Sequence, residues 1–201
     1  MKKTYPMTTP ATSVETIFTD DEGNTMLHFA AKIGDLKSCK LFSGLVKEKN
    51  ENNWTALHFA AEEGTLEICE YLIGLDRSLL FEVSDQGYTP FHRAAISMNT
   101  DVVKLFLQYD RSLMFKKDIC GRTALFFAAE NNQSDLVKLL IDSKSEMTNR
   151  GQTALDIARK KGFADIVKLL DGGGGGGDEI GKSIADLQTQ LDKVKLLIQK
   201  K

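Results

Sequence analysis

The chain has 201 residues, 42% hydrophobic and 27% charged, with a formal net charge of −2 and three cysteines. That length suits one compact unit with appendages, and so small a net charge makes no case for a nucleic-acid partner. No apolar run approaches the ~18 residues of a membrane span, and no apolar region follows Met1-Lys-Lys-Thr-Tyr-Pro6 as a secretion signal requires.

Residues 1–19 carry two prolines and six threonines with little periodicity. They read as a flexible leader or, through Val14, Ile17 and Phe18, as a short cap over whatever apolar end follows.

From residue 20 one pattern recurs. Thr25-Met-Leu-His-Phe-Ala-Ala31 returns as Thr55-Ala-Leu-His-Phe-Ala-Ala61, Thr89-Pro-Phe-His-Arg-Ala-Ala95, Thr123-Ala-Leu-Phe-Phe-Ala-Ala129 and Thr153-Ala-Leu-Asp-Ile-Ala-Arg159, in steps of 30, 34, 34 and 30. Each threonine suits a helix N-cap, and the paired alanines let a second helix approach. Nine residues on stand Gly34, Gly64, Met98, Asn132 and Gly162. Glycine or asparagine there suits the left-handed residue that closes a helix, whereas Met98 breaks the rule. A second apolar set at helical spacing begins at Cys39, Cys69, Val103, Val137 and Val167, so each unit reads as helix–turn–helix. A polar turn ending in Gly23, Asn53, Gly87, Gly121 or Gly151 precedes each threonine. The shared Asp76-Arg-Ser-Leu-Leu-Phe81 and Asp110-Arg-Ser-Leu-Met-Phe115 read as a longer loop that accounts for the steps of 34.

The T-P-L-H-x-A core and the period near 33 resemble the ankyrin repeat. The resemblance implies an all-α solenoid of five repeats over about 20–49, 50–83, 84–117, 118–147 and 148–171, with the polar turns projecting as β-hairpin fingers. It also implies a protein-binding adaptor that uses the fingers and the open face of each first helix. Carried over, the contact residues are Glu51, Trp54, Glu62 and Glu63, then Tyr88 and Ile96, then Ile119, Arg122, Arg150, Lys160 and Lys161. Trp54, Tyr88, Ile96 and Ile119 are apolar groups on a face expected to meet water, the mark of an interface.

Gly172–Gly177 is an unbroken run of six glycines, read as a tether joining two separately encoded pieces. Beyond it Ile180, Ile184, Leu187, Leu191, Val194 and Ile198 follow 4-3-4-3-4 steps, the apolar seam of an amphipathic helix over 178–201. So short a helix is marginal alone. It reads as a fused partner peptide docking in the ankyrin groove, which leaves a monomer. The alternative is a coiled-coil scaffold in which the tails associate and make an oligomer.

His28, His58 and His92 share one register position, which fits hydrogen bonding between units, and no second ligand pair completes a zinc sphere. Gly176-x-x-x-x-Gly181-Lys182-Ser183 matches a phosphate loop in letters only, since no strand precedes it. No nucleophile sits with a base, so neither an enzyme nor a cofactor is expected. Cys39 and Cys69 stand where other units carry valine and read as packed thiols in a reducing cytoplasm.

Overall fold

The computed structural model describes residues 18–172. The helix expected over 178–201, its apolar seam, the phosphate-loop match and most of the leader lie outside the described residues.

Ten α-helices follow one another in pairs: α1 (Met26–Ile33) and α2 (Leu36–Leu41), α3 (Ala56–Glu63) and α4 (Leu66–Leu75), α5 (Pro90–Ile96) and α6 (Thr100–Tyr109), α7 (Ala124–Glu130) and α8 (Ser134–Leu139), α9 (Ala154–Lys161) and α10 (Ala164–Leu170). Each pair packs on itself, the first helices pack in sequence as one layer, and the second helices form another. Between the layers lie the repeated apolar positions, with Leu27, Leu57, Phe91 and Leu125 facing Cys39, Cys69, Val103 and Val137, all fully buried. Burial of this kind contributes about 1.5–3 kcal/mol per large side chain.

The first helices start where the threonines stand. The Thr25, Thr55 and Thr89 amides donate to the Nδ1 of the histidine three residues on, at 3.0, 3.1 and 3.2 Å. Thr153 donates to the Asp156 carboxylate at 2.8 Å, and its hydroxyl accepts from the Asp156 amide at 3.2 Å. These reciprocal bonds satisfy amides that the first turn leaves without helical partners.

The same helices stop at left-handed residues. Gly34, Gly64 and Gly162 have φ of 77°, 78° and 77°, and Asn132 has 57°. Met98 adopts the same geometry at φ 64°, so the third repeat turns like the others with a side chain in a region that suits glycine.

Two expectations change in detail. The extra residues of repeats two and three are helix, not loop. α4 and α6 each have ten residues where α2 and α8 have six, and the 3-10 helices Arg77–Phe81 and Arg111–Phe115 have five where Ser43–Leu45 and Ile141–Ser143 have three. Leu79, Leu80, Leu113 and Met114 are buried from these segments, which is why the length is ordered as helix. The fingers, expected as β-hairpins, are tight turns: the only bridge among the described residues is the isolated Thr19–Thr25 pair. Their arms are too short for a ladder because the helix begins directly after the turn.

Candidate protein-binding surface

Each finger is built by its first residue. Asp20, Asn50, Asp118, Ser84 and Thr148 accept, through a side-chain oxygen, the amide four residues on at 2.7, 2.8, 2.8, 3.2 and 3.1 Å. The closing glycine or Asn53 has positive φ, which completes the turn. Successive fingers are tied by backbone bonds: Glu51 N–H to Glu22 O, Asp85 N–H to Asn52 O, Ile119 N–H to Gln86 O and Asn149 N–H to Cys120 O, at 3.0, 3.1, 3.1 and 2.9 Å. Five turns of separate sequence thus form one continuous edge, and side chains on it keep a fixed spacing.

Histidines lock the repeats beneath. His28 Nε2 lies 2.9 Å from Trp54 O and His58 Nε2 2.9 Å from Tyr88 O, each the carbonyl just ahead of the next threonine. His92 Nε2 reaches Lys116 O at 3.0 Å. This is the inter-unit role expected from their register. In repeat four Phe126 is buried at this position, and in repeat five Asp156 turns back on Thr153. Among the described residues no cluster of three or more His, Cys, Asp or Glu could hold a metal ion.

The aromatic groups expected on the open face are only half-exposed, because the chain covers them itself. Trp54 packs on Phe59 with centroids 5.0 Å apart, and the Arg93 guanidinium lies over the indole at 4.5 Å. Arg93 is in turn paired with Glu62. Tyr88 meets Phe127 edge-on at 5.8 Å, and its hydroxyl accepts from Arg122 Nη2 at 2.8 Å. Arg122 also lies over Phe127 at 4.7 Å and pairs with Asp118 at 2.7 Å. Burial works against the Arg122 charge, but the buried Asp118 carboxylate outweighs it and holds the guanidinium above its usual range. Trp54, Glu62, Tyr88 and Arg122 are therefore engaged in contacts of the fold itself.

The other expected contacts are free of such ties. Glu51, Glu63, Arg150, Lys160 and Lys161 are exposed and form no ion pair among the described residues. Ile119 is 64% exposed at a finger tip and Ile96 is half-buried at the end of α5. The acidic members lie on repeat two and the basic ones on repeat five. Sequence reasoning passed over two residues on this side. Arg93 stands where three other repeats carry a phenylalanine, and Ile33, 73% exposed, stands where they carry polar groups. The departures from the repeat were their signal.

The cysteines follow their positions: burial pushes the Cys39 thiol up to about 11 and the Cys69 thiol to about 12, while Cys120 is exposed at a finger. No helix among the described residues is long and apolar enough to cross a membrane.

No curated protein matches this chain. The family model described as ankyrin repeats (3 copies) matches residues 11–79, 27–116 and 111–174. With the period, the paired helices and the linked fingers in agreement, the chain belongs to the ankyrin-repeat family, whose members are generally protein–protein interaction modules.

Proposed function

We propose that the chain is an adaptor that takes an amphipathic helix of a partner protein along its fingers and first helices, and that residues 178–201 are such a ligand held by the glycine tether. The observation that carries this reading is the separation of charge that is unpaired among the described residues: Glu51 and Glu63 on repeat two, Arg150, Lys160 and Lys161 on repeat five. The segment 178–201 has the matching order, acidic at Asp178, Glu179 and Asp186 and basic at Lys193, Lys195, Lys200 and Lys201. A tether starting beside repeat five spans roughly 13 Å on average, so the segment must enter there and run towards repeat one, which sets acid against base at both ends. As a helix its length would be about 36 Å, comparable to the stacked first helices. Ile184, Leu187, Leu191, Val194 and Ile198 would meet Ile119, Ile96 and the uncovered edges of Tyr88 and Trp54, in the manner of a helix laid in a groove.

The test is hydrogen exchange of the full chain beside its solution mass, for the wild type and Leu191→Asp. Docking within one molecule gives a monomer whose finger and first-helix amides exchange faster in the variant. A dimer or trimer that Leu191→Asp dissociates would instead establish the self-associating scaffold. Identical exchange in a monomer would leave no docked segment.

A further inference from the structure

Arg93 is short of acceptors. A guanidinium carries five N–H donors and no acceptor of its own. The Arg93 side chain is only 16% exposed, yet among the described residues its one hydrogen-bond partner is Glu62, reached by Nη2. Its Nε is fully enclosed and finds no acceptor among them. Enclosed donors left without acceptors cost stability, so such a group calls for a partner. Arg122, the other arginine on this face, shows the contrast. Its Nε donates to Asp118 Oδ2 and its Nη2 to Tyr88 Oη, both at 2.8 Å.

Packing alone does not account for an arginine here. Phe127 of repeat four lies against Tyr88, the residue ahead of the threonine in repeat three. Arg93 of repeat three lies over Trp54 at the same offset from repeat two. A phenylalanine at position 93 would cover the indole and bring no polar group to satisfy. What the arginine adds is donors, and it adds them in the middle of the binding face, with Ile96 three residues on along α5.

Local charge decides the kind of acceptor. Glu62 already neutralises Arg93, and Asp118 neutralises Arg122. Glu63, next to Glu62 in the chain, is exposed and forms no ion pair among the described residues. A ligand carboxylate would therefore meet two acids for one guanidinium, in a half-buried place where water screens them poorly. A neutral oxygen accepts without that repulsion.

We propose that Arg93 is the specificity-determining residue of this face: it takes a neutral oxygen acceptor, from a Gln, Asn, Ser or Thr side chain, set within the apolar stripe of the docked helix. The inference rests on the helix-binding reading and deepens it. One polar position in an apolar seam fixes register, because a helix shifted by a turn leaves the Arg93 donors facing hydrocarbon.

The experiment uses the full chain carrying Leu191→Asp, so that residues 178–201 do not compete. The probes are amphipathic peptides of about 18 residues, roughly 27 Å as helix, with a leucine seam in which each position in turn is Gln, Leu or Glu. Calorimetry compares their affinities with and without Arg93→Phe, a substitution to the residue at the matching positions 29, 59 and 127. At one seam position, affinity for Gln relative to Leu should fall about tenfold on that substitution. Gln should also bind better than Glu there, a comparison that needs no change at Arg93. An unchanged Gln-to-Leu ratio at every position would overturn the proposal, and so would tighter binding of Glu. Peptides that bind without any such position would leave the helix-binding reading standing. No binding by any of them would overturn both.

Discussion

The imidazole of His58 joins two repeats: its Nδ1 accepts from Thr55 N–H at 3.1 Å and its Nε2 lies 2.9 Å from Tyr88 O. A backbone amide only donates and a carbonyl only accepts, so the ring is neutral with its proton on Nε2. Protonation would put a second hydrogen on Nδ1 and break the bond to Thr55. Burial, the largest influence, pushes the His58 and His92 pKa values down from 6.5 to about 4, and lowers His28 as well.

The pH dependence of stability follows in sign. A folded-state pKa below the unfolded value means that the unfolded chain binds the proton first. Stability is therefore complete above pH 6.5 and is lost as pH falls from 6.5 towards 4. His58 and His92 should each cost about 3 kcal/mol across that window. Further loss, below pH 3.8, belongs to Asp20, Asp35, Asp76, Asp110 and Asp156, whose pKa values are lowered chiefly by hydrogen bonds. Urea midpoints between pH 7 and 4.5 check this: a flat profile would show that the histidines are not held neutral.

The stack should be most sensitive in its interior. Leu57 is fully buried, so Leu57→Ala should cost about 2–5 kcal/mol through lost burial and the cavity left behind. Glu51 is exposed and ties its finger to the one before through its backbone N–H, which substitution keeps, so Glu51→Ala should stay within about 0.5 kcal/mol. Chemical denaturation compares the two, and equal midpoints would refute the register assigned to the repeats.

Helix ends give a prediction of opposite signs. Met98 holds φ 64°, so Met98→Gly should relieve strain and stabilise by about 1 kcal/mol. Gly64 has φ +78°, and a Cβ there would stand 2.7 Å from Asn99 Oδ1. The same Asn99 side chain donates to the Ala61 and Glu62 carbonyls at 2.9 and 2.7 Å, closing the end of α3. Gly64→Ala should therefore destabilise by about 1–3 kcal/mol, from strain and displacement of that cap. A thermal shift of the same sign in both variants would contradict this.

The sequence displayed the fold through what recurs from repeat to repeat. Threonine, histidine, the alanine pair and the closing glycine act within one unit or at a fixed offset to the next, so periodicity exposes them. It displayed the surface less well, because surface contacts depend on what differs between repeats. Trp54 looked like an exposed anchor, yet Arg93, 39 positions on, lies across it. That contact exists because repeat three replaces the usual phenylalanine with arginine, and only the stacking distance of repeats puts the two together. Arg122 is engaged twice, by Asp118 of its own finger and by Tyr88 of the repeat before it.

The distinction between spent and free charge separates the residues that should direct the docked segment. Glu62 and Arg122 are engaged within the chain, while Glu63, Lys160 and Lys161 are exposed without a partner among the described residues. Reversing a free charge changes the field that a ligand meets; reversing an engaged one chiefly breaks the fold's own pairs. In the full chain, Glu63→Lys should weaken docking of 178–201 by roughly 0.2–1 kcal/mol, and Lys200→Glu added to it should restore most of the loss if the segment runs from repeat five towards repeat one. Leu191→Asp should remove docking altogether, because apolar burial supplies the affinity and charge the direction. Emission of Trp54, the single tryptophan, reads the occupancy of its uncovered edge. Stronger docking in Glu63→Lys alone would mean that the segment lies the other way round, with Asp178 and Glu179 near position 63, and failure of Lys200→Glu to restore the loss would remove charge from the account of its orientation.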